Sequence, residues 1–376
     1  MASDRPSWFK RMFQARKSGP EALPRLRKRG RASESSQPRV PRLKVVPRPL
    51  ESVVEDVKVC TRLAPARSWA YQLQHIDPKE VAACPADVVV IDTSPDGDWR
   101  SAFTPEQVQA MKGRPGWNAA PKKVIAYMSI GEAEEQRFYW RPDWVQNGRK
   151  TGKAPRWLHD LNDQGWHGNW KVRFWEPDWQ RNICGEANCF LDRIIDQGFD
   201  GVYLDIIDAY DYWRSPDRGK GMRPTADEEM VTFVRRIAEH ARVKRGKPDF
   251  AVIPQNGEGL LVYPQYRAFI SAIGKEDILY DQDGQADDKR VKARPEKGNE
   301  NREGVDDIME NLRHALADRI PILAVEYLLD RAEDRKKTTA ALEKMGQLGL
   351  VPHFGARDLG KLSQTILPPA SDPLVS

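Results

Sequence analysis

The fold of this chain is decided by a short apolar run that ends in an aspartate, Gly198-Phe199-Asp200-Gly201-Val202-Tyr203-Leu204-Asp205. Similar apolar runs recur on both sides of it, separated by longer segments with helical spacing. Near-continuous apolar runs are typical of strands that are buried on both faces, as parallel sheets require. The strand candidates are residues 69–73, 88–91, 124–128, 202–204, 250–253, 278–280, 322–325 and 350–354.

Helical signals lie between these strand candidates. Thr104 and Pro105 predict an N-cap followed by proline in the first turn of a helix. Thr225 and Glu228 form a capping-box pattern, and the apolar residues that follow them recur at helical spacing. Eight strands alternating with helices predict an α/β protein of the (β/α)8 TIM barrel class. The sequence has no G-x-G-x-x-G motif after the first strand and no P-loop, which counts against a nucleotide-binding sheet.

Two segments depart from the alternation of strands and helices. Residues 131–199 are rich in tryptophan and predict an insertion over the barrel mouth after strand 3. Residues 1–60 are rich in Arg, Pro and Ser, and too little of that surface is apolar to offset the entropy of an ordered chain. We therefore predict a disordered basic arm at 1–60, a (β/α)8 domain at 61–366 and a C-terminal tail at 367–376.

The charge of the chain is unevenly distributed. Residues 1–50 carry 14 Lys and Arg against 3 Asp and Glu, and the remainder carries 46 against 52. The folded part is therefore slightly acidic, and nucleic acid is not an expected partner, although the arm could contact an anionic surface. The sequence contains neither the ~18 consecutive apolar residues of a membrane helix nor the apolar core of a secretory signal. The cellular compartment is left open.

Carboxylates follow most of the strand candidates, where the chemistry of such barrels is located. Of the six histidines only His353 lies in a strand candidate, and the four cysteines lack zinc-binding spacing, so a metal-dependent hydrolase is disfavoured. Glycoside hydrolysis needs two carboxyl groups, one to protonate the leaving oxygen and one to attack the sugar or activate water. The acidic residues after the strands are Asp92, Glu132, Asp205, Asp208, Glu258, Asp281, Asp283 and Glu326.

These residues belong to a longer pattern. Over about residues 67–360 the chain resembles the endo-α-1,4-polygalactosaminidases of glycoside hydrolase family 114. The resemblance is carried, in order, by Trp69-Ala70-Tyr71-Gln72-Leu73, Val90-Ile91-Asp92, Ile125-Ala126-Tyr127-Met128-Ser129-Ile130-Gly131-Glu132, Arg137 with Tyr139-Trp140, the 198–205 run with Asp208 and Tyr210, Pro254-Gln255-Asn256-Gly257-Glu258, and Tyr280-Asp281.

The resemblance implies a barrel that hydrolyses α-linked galactosaminyl polysaccharide without a metal or an organic cofactor, at an extracellular or cell-surface location. By position, Asp205 takes the role of nucleophile and Glu258 that of acid/base, with Asp208 as the rival nucleophile. These roles imply a retaining reaction if the two carboxyl groups lie ~5–5.5 Å apart. The side chains expected to bind the sugar or to tune the pair are Tyr71, Asp92, Tyr127, Glu132, Asp208, Tyr210, Asn256, Tyr280 and Asp281.

Three alternative functions fit parts of the same sequence. An exo-acting α-glycosidase, similar to an α-galactosidase, would use the same fold with one end of the cleft blocked by the insertion. A non-catalytic carbohydrate-binding barrel would bind an oligosaccharide or polysaccharide without cleaving it. An adaptor would bind its partner through the basic arm, and deletion of residues 1–60 would abolish that binding while leaving hydrolysis intact.

Overall fold

A computed structural model describes residue 63 and residues 66–113, 122–161, 168–185, 187–216, 222–280, 304–330 and 332–362. The predicted arm at 1–60 and tail at 367–376 lie outside this part of the chain. Among the described residues, no helix is both long enough and apolar enough to cross a membrane.

Eight parallel strands form the centre of the molecule. The strands are β1 (Trp69–Gln72), β2 (Val88–Ile91), β3 (Lys123–Ser129), β4 (Gly201–Asp205), β5 (Ala251–Pro254), β6 (Ile273–Glu276), β7 (Ile322–Glu326) and β8 (Val351–Phe354). Strands β1 to β5 pair in sequence order, and so do β6 to β8. A parallel bridge between Gln255 and Gly274 joins the two sets. The indole of Trp69 donates to the carbonyl of Val351 at 3.0 Å, so β8 lies beside β1 in the order of a (β/α)8 barrel.

The sixth strand is not the one predicted. The strand is Ile273–Glu276, whereas residues 278–280 form the loop after it. The strand was missed because it is not an apolar run: it contains a glycine, a lysine and a glutamate. Glycine is needed at 274 because a Cβ there would lie 2.0 Å from the hydroxyl oxygen of Tyr203. The lysine and glutamate of the strand, Lys275 and Glu276, belong to the candidate site at this end of the strand, which is described below.

The strands bury both faces, which divides the core into two layers. Alternate residues of a strand point to opposite faces, so one set fills the barrel and the other faces the helices. The barrel interior is unusually aromatic: Trp69 stacks on Tyr71, and both rings pack on Tyr203. The interior cluster consists of Trp69, Tyr71, Val88, Val90, Ile125, Tyr127, Tyr203, Ala251, Ile253, Ala272, Leu323, Val325, Tyr327 and Leu359.

Helices alternate with the strands. They are α1 (Pro78–Ala83), α2 (Pro105–Met111), α3 (Pro177–Ile183), α4 (Phe190–Asp196), α5 (Ala209–Arg214), α6 (Ala226–Glu239), α7 (Pro264–Phe269), α8 (Val305–Ala317), α9 (Ala332–Arg335) and α10 (Thr338–Gln347). Within the described ranges there are also three 3₁₀ turns, Trp99–Ser101, Pro142–Trp144 and Glu258–Val262, and a π-helical turn, His240–Lys244.

The two predicted helix starts have different outcomes. Thr104 caps α2 as predicted: its side chain accepts from the N–H of Gln107, whose side chain accepts from the N–H of Thr104. The capping box predicted at Thr225 is wrong, because the Thr225 side chain makes no cap hydrogen bond. The apolar stripe after it is nevertheless buried along α6, so packing rather than the cap fixes this helix.

The predicted insertion after the third strand carries its own small sheet. Strands Glu132–Glu134, Asn169–Val172 and Leu158–Leu161 pair antiparallel in that spatial order, and a hairpin pairs Val145–Gln146 with Arg149–Lys150. Tryptophans fill the space beneath this sheet. Trp144, Trp157, Trp170, Trp179 and Trp213 are all buried, and Trp166 lies outside the described residues. The buried tryptophans form a packed core of the insertion and do not offer open ring faces to a ligand.

Candidate active site

Asp205 is the last residue of β4, and both of its carboxylate oxygens are engaged. The hydroxyl of Tyr127, on the neighbouring strand β3, donates to Oδ2 at 2.6 Å. The backbone N–H of Ile206 donates to Oδ1 at 2.7 Å. Asp205 is half-buried, so these two donors fix its orientation while part of the carboxylate stays accessible. This is the position at which barrel enzymes carry their reactive groups.

The backbone immediately after Asp205 is strained. Ile206 has φ +58°, a left-handed conformation that a β-branched residue rarely adopts. Asn256 and Gly257, after strand β5, also have positive φ, at +58° and +63°. A Cβ on Gly257 would lie 2.6 Å from the Cγ2 atom of Ile207, so the two loops are in direct contact and only glycine fits. Strained backbone in both loops is typical of functional sites, where tertiary packing holds it in place.

Burial and a neighbouring carboxylate raise the pKa of Asp205. Desolvation is the largest cause, the charge of Glu276 is the second, and the hydrogen bonds from Tyr127 and Ile206 oppose them. The net effect raises the pKa of Asp205 to about 8. A carboxyl group that keeps its proton near neutral pH, at the carboxyl end of a barrel strand, is typical of a catalytic group.

Glu276 is the carboxylate of the site that the sequence analysis missed. It is the last residue of β6; its Oε2 accepts from the Asn256 side-chain amide at 3.0 Å, and its own N–H donates to Asn256 Oδ1 at 3.2 Å. Its Oε1 accepts from the Tyr327 hydroxyl. The signal was present in the alternation of the strand, since Glu276 shares a face with Gly274, but the strand itself was placed too late in the sequence.

Glu258 lies at the start of the 3₁₀ turn after β5, and it is buried. Its Oε1 is 3.0 Å from the ammonium group of Lys275 on β6. Burial alone would lower the pKa of Lys275, but Glu258, Asp208 and Glu276 raise it above its ordinary value. The ion pair therefore holds a charged lysine and a carboxylate together inside the cleft.

Asp208 lies between Asp205 and helix α5. Part of its side chain is exposed, yet the cleft walls remove enough water to raise its pKa; Lys275 lowers that pKa, and Glu258 and Glu276 raise it. Asp208 is thus electrostatically connected to the Glu258–Lys275 pair, whereas Asp205 is connected most strongly to Glu276. The two aspartates occupy different surroundings within one rim.

Four buried tyrosines surround the carboxylates. They are Tyr71, Tyr127, Tyr203 and Tyr327. Tyr71 donates to the side-chain oxygen of Gln255 at 3.4 Å, while Tyr127 and Tyr327 donate to Asp205 and Glu276. Burial, with the neighbouring acids, raises the pKa of each of the four phenols well above its ordinary value, so all four stay neutral. The buried hydroxyl of Tyr203 has no hydrogen-bond partner among the described residues. Tyr203 and Tyr327 were not predicted as site residues.

Asp92 is buried and forms a bidentate ion pair with Arg137. Arg137 Nη1 and Nη2 lie 2.9 and 2.7 Å from the two carboxylate oxygens of Asp92, and Nε lies 2.7 Å from Glu134 Oε2. The guanidinium carbon is also 6.0 Å from the centroid of the Tyr127 ring. Asp92 therefore contacts Asp205 only indirectly: it binds Arg137, Arg137 lies beside the Tyr127 ring, and Tyr127 donates to Asp205.

The other predicted residues have varied positions. Glu132 is buried at the start of the insertion sheet, where its N–H donates to the Ser129 hydroxyl. Tyr210 is buried on α5, its hydroxyl oxygen 2.7 Å from where a Cβ on Gly259 would lie. Asn256 holds Glu276, as described above. Asp281 lies outside the described residues.

Tyr280 belongs to a loop that is held by a different acid. Glu326, fully buried at the end of β7, accepts from the N–H groups of Ile278, Leu279 and Tyr280 at 2.9, 2.7 and 3.2 Å. The Tyr280 ring lies 5.6 Å from the ammonium of Lys337. These contacts make Glu326 the anchor of the loop after β6 and place Tyr280 beside it.

Two other features of the described residues do not compete as the reactive centre. Cys189, Asp192 and His240 have potential metal-ligand atoms within 4.8 Å of one another, but Asp192 is already bound by His240 and by the guanidinium of Arg245. A cavity of about 580 Å³ lies between the insertion and helices α3 and α4, walled by aromatic and arginine side chains. None of the carboxylates at the strand ends lines that cavity.

Barrel enzymes carry their reactive groups at the strand ends, and glycoside hydrolysis uses a pair of carboxyl groups, so the carboxylates found here fit a glycoside hydrolase. The comparison with known families agrees with this class. The model of the glycoside-hydrolase family GH114 matches residues 55–368, and the chain belongs to this family. The sequence resemblance to family 114 is thereby confirmed.

Two relatives share about a third of their aligned residues with this chain. An uncharacterized protein of Thermotoga maritima is 33% identical over 300 residues, which cover 78% of this chain and 82% of that protein. An uncharacterized protein of Deinococcus radiodurans is 34% identical over 306 residues, covering 80% and 83%. The glycoside hydrolase domain of PelA from Pseudomonas aeruginosa superimposes with a TM-score of 0.53 at 20% identity, covering 80% of this chain and 98% of that domain, and so supports the fold.

Proposed function

We propose that this glycoside hydrolase cleaves an α-linked, galactosamine-containing polysaccharide with retention of configuration, using Asp205 as nucleophile and Glu258 as acid/base. The observation that carries the proposal is the fixed carboxylate of Asp205, oriented by the Tyr127 hydroxyl at 2.6 Å and the Ile206 N–H at 2.7 Å. A nucleophile needs this orientation because reactivity depends on a near-attack geometry. The loop that carries Glu258 packs directly on the loop that carries Asp208.

The charge of the rim supports a cationic sugar as substrate. Asp205, Asp208, Glu258 and Glu276 lie close enough to perturb one another or their common neighbours, and Lys275 is the cation that pairs with Glu258. An excess of carboxylates in a cleft attracts cations and raises their local concentration. Polymers of galactosamine with free amines are cationic, so they match this field better than a neutral glycan does.

A cationic sugar would also set the protonation states. The pKa of Asp205, raised to about 8, means that the substrate-free site holds a proton there at neutral pH. An ammonium group beside Asp205 favours the ionised carboxylate, which is the form a nucleophile needs. Transfer of the released proton to Glu258 would give the protonated acid that the first step of a retaining hydrolysis uses.

Glu276 is the second candidate for the acid/base role. Its charge is the strongest single electrostatic influence on Asp205, and Asn256 and Tyr327 hold its carboxylate at the strand end. Glu258, in contrast, is paired with a lysine. If Glu258 is the acid/base, loss of its carboxyl group should be the more damaging to hydrolysis; if Glu276 is, the same holds for position 276.

The test is hydrolysis of partially deacetylated α-1,4-galactosaminogalactan by wild type and by Asp205→Asn, Glu258→Gln and Glu276→Gln. Glu343→Gln, on the exposed side of α10, is the matched control. We expect oligosaccharides from wild type and from the control, and a loss of about 10³-fold or more for Asp205→Asn and Glu258→Gln. An intact polymer with wild type would overturn the substrate, and an active Asp205→Asn would move the nucleophile elsewhere, first to Asp208.

An activated substrate separates the acid/base from the nucleophile. A 4-nitrophenyl α-glycoside of a galactosamine oligosaccharide has a leaving group that departs without protonation, so loss of the acid affects its first step little. We expect Glu258→Gln to release nitrophenol in a burst and to be rescued by azide, whereas Asp205→Asn is silent. Rescue of Glu276→Gln instead would assign the acid/base role to Glu276.

A further inference from the structure

Trp99 is exposed, unlike the tryptophans of the insertion. Its surface is 45% exposed, and it is the one exposed Trp, Tyr or Phe among the residues the structure describes. It lies in the 3₁₀ turn Trp99–Ser101, in the loop that follows β2. The loops after the strands form the face of a barrel on which Asp205 also lies. The exposed ring therefore belongs to the catalytic face.

The loop that carries Trp99 is fixed at both ends and in the middle. The side chain of Gln197 donates to the carbonyls of Thr93 and Phe103, both at 2.9 Å. Asp98 caps the turn by accepting from the N–H of Arg100 at 3.0 Å. A loop held in this way presents the Trp99 ring without an ordering cost at the moment of binding.

Buried contacts connect this loop to the reactive centre. Arg137, which binds Asp92 with both of its terminal nitrogens, also donates from Nη1 to the carbonyl of Gly97 at 3.2 Å, two residues before Trp99. The same guanidinium lies 6.0 Å from the ring centroid of Tyr127. Tyr127 in turn holds Asp205 at 2.6 Å. One rigid network thus supports both the Trp99 loop and the catalytic carboxylate.

We propose that the indole of Trp99 is a stacking platform for a sugar unit of the polysaccharide, at a subsite beyond the unit whose bond is cleaved. A pyranose offers a flat face of C–H groups that packs on an indole, and the indole N–H can bind a hydroxyl. The inference rests on the proposed function, because the occupant is the same chain that enters the cleft. The polar neighbours Asp98 and Arg100 suit a hydroxylated ligand better than an apolar protein surface.

A binding measurement tests the platform separately from hydrolysis. The probe is partially deacetylated α-1,4-galactosaminogalactan, bound by the Asp205→Asn protein in affinity electrophoresis and calorimetry. Into that background we would introduce Trp99→Ala, Trp99→Phe and, as a control, Val243→Ala. Val243 is also 45% exposed but lies in the π-helical turn before β5, on the opposite end of the barrel. Thermal unfolding of each variant confirms an intact fold.

We expect Trp99→Ala to raise the Kd of the polymer about tenfold, Trp99→Phe to raise it less, and Val243→Ala to leave it unchanged. In the active protein, Trp99→Ala should raise KM for the polymer with kcat unchanged, and should have no effect on a substrate too short to reach the ring. Equal affinity of the Trp99→Ala and parent proteins would overturn the platform. So would a change confined to self-association, because the ring would then contact a second copy.

The two proposals can fail independently. If wild type binds the polymer in a Trp99-dependent way but does not cleave it, the platform stands and the proposed hydrolysis fails. If wild type cleaves the polymer and Trp99→Ala does so with unchanged KM and product lengths, the hydrolysis stands and the platform fails. If the Asp205→Asn protein does not bind the polymer, the proposed occupant is wrong.

Discussion

The hydroxyl of Tyr127 donates to Oδ2 of Asp205 at 2.6 Å, from one strand of the barrel to the next. The bond favours the ionised carboxylate, while burial and the charge of Glu276 favour the protonated form and raise the pKa to about 8. The protonation of Asp205 is therefore a balance between neighbours on β3 and β6, and each neighbour can be changed separately.

Replacing Tyr127 with phenylalanine removes the hydrogen bond that favours the ionised form. We expect the acidic limb of the kcat/KM profile to move up by about one pH unit, because a hydrogen bond to a charged group is worth about 1.5 kcal/mol. Activity near pH 7 should fall roughly tenfold and recover as the pH rises. A uniform loss at every pH would instead mean that Tyr127 only contacts the substrate.

Replacing Glu276 with glutamine should move the same limb in the opposite direction. The neutral amide no longer raises the pKa of Asp205, yet it can still bond with Asn256 and Tyr327. We expect a downward shift of about one pH unit in the acidic limb of kcat/KM. Glu343→Gln removes an exposed charge of the same kind and should leave the profile in place. If the acidic limb moved equally in Glu276→Gln and Glu343→Gln, the shift could not be attributed to the contact between Glu276 and Asp205.

Asp205 should also cost the protein stability as the pH rises from 3.8 to about 8. Its folded pKa, about 8, exceeds the ordinary value of 3.8, so between these limits the folded state holds a proton that the unfolded state has released. The free energy of unfolding contributed by this group therefore falls as the pH rises through that window. Asp205→Asn removes the penalty, and its Tm should exceed that of wild type by roughly 2–4 °C at pH 8 but not at pH 4. A constant difference across the range would exclude titration as the cause.

Glu326 is expected to matter for stability rather than for chemistry. Its carboxylate accepts three backbone N–H groups from residues 278–280, and burial raises its pKa to about 8. Glu326→Ala leaves these donors unpaired and should lower the free energy of unfolding by about 3 kcal/mol or more in urea titrations. Glu326→Gln retains one acceptor oxygen and should lie in between. Equal stability of the alanine variant would mean that water or another group replaces the carboxylate.

The sequence alone determined the class of fold and the position of Asp205. Buried parallel strands consist of apolar runs, and N-cap residues mark the starts of helices. Strand β4 and the cap at Thr104 could therefore be predicted from residues that are neighbours in the sequence. The rule that barrel chemistry follows the strands then selected the acidic residues at the strand ends, and the resemblance to family 114 singled out Asp205 and Glu258 among them. The strand and the cap are signalled by residues that are neighbours in the sequence, and the position of the acidic residues follows from one general rule of the barrel fold.

Only the tertiary structure decided which side chains meet. Glu276 lies 71 residues after Asp205, on a strand whose glycine and charged residues hide it from an apolar pattern, and its effect on Asp205 exists only once β6 reaches the same rim. The predicted cap at Thr225 does not form, although the apolar face of the same helix is buried as its spacing predicts. Burial of the insertion tryptophans and exposure of Trp99 likewise depend on how distant segments pack, since the free energy of burying a ring depends on its final neighbours and not on its position in the chain.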